Sequence, residues 1–181
     1  MTRAAWVSGI DRLLAQRARA ELELASDGDP TSELAGHAVA AIVLAAASFE
    51  AHVDEWLAHP ANRVFFTADE LDALRWKPGY KIALAILRKR NAEKSPSSEG
   101  WYRRLRGLYQ LRYHVAHVSP ERRDTETFPP RLAPYIADRT FKPAGDLSMD
   151  WTSRLIVKSV AEQALTIAEK AASAFDAAVQ A

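Results

Sequence analysis

Two stretches of this chain each place a charged residue in the middle of an apolar helical stripe, and that pairing constrains the fold more than any other feature. At ~100° per residue, Trp101, Leu105, Leu108, Val115 and Ala116 fall on one arc, with Leu111 at its edge and Arg112 near its centre. A guanidinium does not shed its proton, so a buried one requires an anion or a dedicated polar partner. The complement lies in the helix expected over about 32–58. There Val39, Val43, Ala46, Val53 and Leu57 form the apolar arc and Glu50 stands at its middle. The pattern predicts that Glu50 and Arg112 meet within salt-bridge distance, both largely buried, with His114 and His117 beside them.

The length of 181 residues fits one domain over 1–181 with a sizeable core. Alanine is abundant and only 7 residues are glycine, a balance that favours helix. A net charge of +1 supplies no global pull toward nucleic acid or membrane, so any such binding needs a local patch. With 0 cysteines, disulfides, thiol nucleophiles and cysteine-ligated metals are excluded. Asp11, Arg12 and Arg17 interrupt the N-terminal apolar pattern, which therefore does not read as a signal peptide. No segment is expected to reach the ~20 apolar residues that span a bilayer, and the expected location is cytoplasmic.

The periodicity predicts an N-terminal helix over about 1–26, through Trp6, Ile10, Leu13, Leu14 and Leu22, broken at Asp27-Gly28-Asp29. Asp29-Pro30 offers a cap and a first-turn proline to the second helix, which stops before His59-Pro60. Thr67-Ala68-Asp69-Glu70 is a capping box for a short helix through Leu71 and Leu74. Pro78-Gly79 opens a helix to about 91, Ser98 caps another to about Val118, and Ser119-Pro120 ends it. Residues 119–149, with Pro129, Pro130, Pro134 and Pro143, hold no sustained period and read as an irregular loop. From Asp150 one long helix carries Trp151, Ile156, Val160, Ile167, Ala171, Phe175 and Val179. The fold class is all-α, an up-down bundle of four to five main helices.

Arg112 and His117 lie five residues apart, about 140° on an ideal helix, so they diverge unless the helix end frays or a second copy completes the site. His114 and His117 are neighbours on the side away from the apolar arc, with Arg103, Arg106 and Gln110. No third ligand accompanies the two histidines, and no metal is expected there. His37, His52 and His59 read as solvent-facing or helix-end residues. Tyr102, Tyr109 and Trp101 recur at helical spacing and read as core.

Arg112-Tyr113-His114-Val115-Ala116-His117 resembles the Arg-x4-His signature of HEPN domains, small α-helical proteins of toxin–antitoxin, abortive-infection and CRISPR-associated systems. Trp101-Tyr102-Arg103-Arg104-Leu105 leads into the signature, and Ala47-Ser48-Phe49-Glu50-Ala51 resembles the family's acidic motif. Lys81 and Trp151 also fit, so the resemblance covers about 32–178. Tyr113 departs from the small polar residue common after the arginine.

The resemblance implies a metal-independent endoribonuclease, a toxin or antiphage defence effector, with Arg112 and His117 catalytic and no cofactor. It implies supporting roles for Glu50, Tyr113 and His114, and RNA contacts from Arg103 and Arg106. It also implies a homodimer apposing two motif helices, RNA as substrate, and an antitoxin or other defence-system partner protein. The chemistry is coherent: histidine moves protons near neutral pH, and arginine's planar fork steadies a phosphorane's charge. The alternative is a noncatalytic HEPN-like module that binds a nucleotide or a protein, and a simpler one is a structural bundle with an ion pair.

Overall fold

The computed structural model describes residues 9–27, 33–90, 100–117, 128–145 and 150–180. Among them the structure is all-α, with no strand. The order is α1 (Ile10–Leu24), α2 (Glu33–Ala58), α3 (Pro60–Arg63), α4 (Ala68–Leu74), α5 (Gly79–Arg90), α6 (Gly100–Ala116), α7 (Ala133–Ala137), α8 (Trp151–Leu155) and α9 (Lys158–Gln180). The expected caps at Asp29-Pro30 and Ser98, the stop at Ser119-Pro120 and the segment before Gly9 lie outside the described residues.

α2 is the central helix and packs against α1, α5, α6 and α9. Its stretch Ala35–Ala58 is, by length and composition, long and apolar enough to cross a membrane, with a mean hydropathy of 1.4 over its most apolar 18 residues, which corrects the expectation that no segment approaches that length. Here that apolar surface faces other helices. Ala38, Ala41, Ile42, Ala45, Ala46, Phe49 and Val53 are all buried. The alanines let α1 and α9 approach closely, and Phe175 of α9 fills the space between Phe49, His52 and Trp56, each edge-on to its ring.

Two helix starts are fixed by local caps. Thr67 and Glu70 form the reciprocal capping box at α4. Asp150 caps α8, its carboxylate accepting the N–H groups of Thr152 at 2.9 Å and Ser153 at 3.0 Å. Burial pushes this carboxyl's pKa up, but the Ser153 and Thr152 hydrogen bonds outweigh it and leave it lowered.

Two expectations need correction, and the start of α1 adds a feature of its own. The expected irregular stretch contains α7, whose first turn carries Pro134 in the position proline tolerates. The single C-terminal helix is instead two, because the chain turns at Ile156 (φ −93°, ψ 63°) before α9 begins. α1 has no side-chain cap of its own: Glu55 of α2 reaches across to accept the N–H groups of Gly9 at 3.0 Å and Ile10 at 2.7 Å.

A candidate site at the end of helix α6

The Glu50–Arg112 pair forms as expected: Arg112 Nη1 donates to Glu50 Oε2 at 2.9 Å. Its burial does not. The side chains are 35% exposed for Arg112 and 30% for Glu50. The reason lies in α2, where the buried stripe is centred on Ile42 and Phe49, about 90° around the helix from Glu50. Glu50 therefore sits on the rim of the core, and the arginine's long stem carries its head group out to it. Among the described residues the buried cation is Arg154 of α8, 8% exposed, with its guanidinium 4.8 Å from the Phe128 ring.

Tyr109 supports the pair from beneath. Its hydroxyl donates to the Ala46 carbonyl at 3.2 Å, and the Arg112 guanidinium lies 5.9 Å from its ring. Desolvation raises the phenol's pKa well above its usual value, the Glu50 charge adds to the rise, and Arg112 opposes it. The Gly79 N–H lies against the same hydroxyl. A Cβ on Gly79 would collide with that oxygen and stand 2.9 Å from the Glu50 Cα, so only glycine lets α5 begin this close to α2. One turn beyond Glu50, desolvation raises the Asp54 carboxyl and the Glu50 charge raises it further.

His117 occupies the other side of the helix end. Its Nδ1 donates to the Tyr113 carbonyl at 2.9 Å, which places the neutral ring's proton on Nδ1 and leaves Nε2 as the basic nitrogen. Its ring stacks on Tyr113 with centroids 4.8 Å apart and planes at 25°. Tyr113, 49% exposed, thus offers an aromatic face at the helix end. His114 departs from expectation: rather than facing out beside His117, it is half-buried, edge-on to Trp151 at 6.1 Å. Among the described residues no hydrogen bond, ion pair or ring contact joins Arg112 to His117, as their angular separation requires.

The two expected RNA contacts separate. Arg103 pairs with Asp138 beyond α7 at 2.8 Å. Burial raises that carboxyl, but Thr140's hydrogen bonds and the Arg103 and Arg104 charges hold it below its ordinary value. Arg106 is exposed and lines a basic cleft between α5 and α6. Among the described residues no three His, Asp or Glu side chains are grouped as metal ligands.

Sequence reasoning missed a second ionic centre. His52, expected to face solvent, places Nδ1 3.0 Å from Asp11 of α1 and Nε2 2.8 Å from Asp176 of α9. Burial lowers its pKa, but the two carboxylates overcome that and leave it raised. His37 likewise contacts Glu21, at 2.7 Å. A histidine two residues from Glu50, with acids far away in sequence, gives no local pattern that would reveal the clamp.

Comparison with family models, curated proteins and solved structures finds no match.

Proposed function

We propose that this protein is a metal-independent endoribonuclease with a HEPN-like bundle, and that Arg112 and His117 carry its chemistry. The observation that carries the reading is the state of the motif's two functional groups. Glu50 and Tyr109 hold the arginine in one orientation, and a backbone carbonyl leaves His117 with Nε2 basic. Preorganised charge and an imidazole nitrogen free to take a proton are what transesterification of RNA demands.

In the reaction, a ribose 2′-hydroxyl loses its proton to His117 Nε2 and its oxygen attacks the adjacent phosphorus. Arg112 donates to a phosphoryl oxygen as negative charge builds. The bond to the 5′-oxygen breaks, that oxygen takes back the proton held on the His117 imidazolium, and a 2′,3′-cyclic phosphate remains. Within one chain Arg112 and His117 diverge, so the reading includes a homodimer whose two-fold axis apposes the α6 ends and joins one subunit's arginine to the other's histidine. Tyr113, stacked on His117, supplies a face for a base. The setting we propose is cytoplasmic, as a toxin or defence effector restrained by a partner protein.

A noncatalytic nucleotide- or protein-binding module is the second reading, favoured by the engagement of Arg112 with Glu50 on the far side of α6 from His117. End-group analysis separates the two. The nuclease leaves 2′,3′-cyclic phosphate, or 3′-phosphate from its opening, in EDTA, and spares DNA for want of a 2′-hydroxyl. Intact RNA after incubation with folded dimer overturns the nuclease reading.

A further inference from the structure

Lys77, Lys81, Arg88 and Arg106 line a cleft of about 530 Å³ between α5 and α6, with Tyr80 and Tyr102 among its walls. All four cations are exposed, and among the described residues no acidic side chain lines the cleft and none of the four is paired with a carboxylate. Like charges gathered without a counterion repel, and an anion from outside relieves that repulsion. Arg88 and Arg106 lie near enough to the Tyr102 hydroxyl to draw its pKa down, although desolvation and Tyr80 leave it raised.

The cleft leads toward the α6 end. Tyr80 stands 6.2 Å from Tyr102 and 5.1 Å from Tyr109, and Tyr109 touches Arg112. At ~100° per residue, positions 102, 106, 109 and 113 of α6, continued to His117 just past its end, share an arc of about 80°. Arg106, Tyr113 and His117 thus form one stripe. Lys81 and Arg88 are two turns apart, about 10 Å along α5, a spread suited to successive phosphates of a strand more than to one compact anion. Trp76, 85% exposed, directly precedes Lys77 and supplies a large aromatic face of the kind on which bases stack.

We propose that the α5–α6 cleft binds the phosphodiester backbone of a single RNA strand that continues along α6 to the composite site at the α6 ends. The strand's destination rests on the nuclease reading; the binding itself does not. The test is fluorescence anisotropy of the full chain with a labelled single-stranded DNA oligonucleotide, whose phosphates match RNA and which that chemistry does not cleave. The variant Lys81→Ala/Arg88→Ala/Arg106→Ala should bind on the order of tenfold more weakly or worse. Its log–log salt slope should be shallower by about 2, from three contacts at ~0.7 each. Arg19→Ala, which removes an exposed cation on α1 paired with Glu169, should bind as wild type does. All four positions are exposed, and an unchanged melting temperature verifies that each variant is folded.

RNA cleavage is measured alongside. Binding lost in the triple variant, with no cleavage by any form, supports the cleft and removes the nuclease reading. Cleavage by wild type with binding and cleavage unaltered in the triple variant overturns the cleft and leaves the nuclease reading standing. Failure of wild type to bind the oligonucleotide overturns the cleft, as does binding of ATP in its place.

Discussion

Glu50 and His52 stand two residues apart on α2 and anchor ionic centres on opposite sides of that helix. Glu50 meets a cation on α6, at the rim of the core and within reach of solvent. His52 is clasped between carboxylates from α1 and α9, beside the fully buried Phe175. The first centre adjoins a helix end with a basic imidazole and an exposed tyrosine. The second uses both ring nitrogens on internal partners and retains none for a substrate. Similar ingredients therefore serve opposite ends: the half-open pair is suited to chemistry, and the clasped histidine is suited to holding three helices together.

The comparison can be tested by stability, beginning where the effect is largest. Phe175→Ala, on the His52 side, should cost about 3–5 kcal/mol in denaturant unfolding, since a large, fully buried side chain leaves a cavity. A loss under about 1 kcal/mol would show that the α1–α2–α9 side is not the packed one. Gly79→Ala, on the Glu50 side, forces a Cβ against Tyr109 and the α2 backbone and should cost about 1–3 kcal/mol. Glu50→Ala should cost less, about 1–2 kcal/mol, because a pair roughly one-third exposed is screened by water and does not reach the penalty of a buried one. A melting temperature equal to wild type would place the pair in bulk solvent.

The smallest effect is a pH dependence. His52 has a folded pKa above its unfolded value near 6.5, so its stabilisation is full below that pH and fades as pH rises through the folded value. Wild type should therefore lose about 1 kcal/mol or less between pH 6 and 8 relative to His52→Gln, followed by thermal melts with Asp11 and Asp176 intact. Parallel curves for the two proteins would mean that the clamp does not titrate.

The two centres also differ in how far the sequence exposes them. Arg112 interrupts an apolar arc on a helix that Ser98 and Ser119-Pro120 bracket in the sequence, so its need for a partner is visible in a short window. Glu50 interrupts a similar arc, but alanines dominate α2, and their burial on several faces hides where the stripe is centred; the degree of burial was overestimated for that reason. His52 has acidic partners 41 and 124 residues away, a pairing that only the packing of α1 and α9 creates. The capping box at Thr67 is legible because it is local. Glu55's capping of α1 is not, because the capping carboxylate comes from another helix.

The most direct test of the division between the two centres is RNA cleavage in EDTA at pH 7 by Arg112→Ala, His117→Ala and His52→Gln, each shown to be folded. The account predicts a loss of about 10²–10⁴-fold for each of the first two, the range expected on removing a proton-transfer group or a charge stabiliser. It predicts activity within about twofold of wild type for His52→Gln, since that ring's nitrogens are both engaged by Asp11 and Asp176. Cleavage that survives loss of both Arg112 and His117, or that disappears with His52 alone in a folded protein, would contradict it.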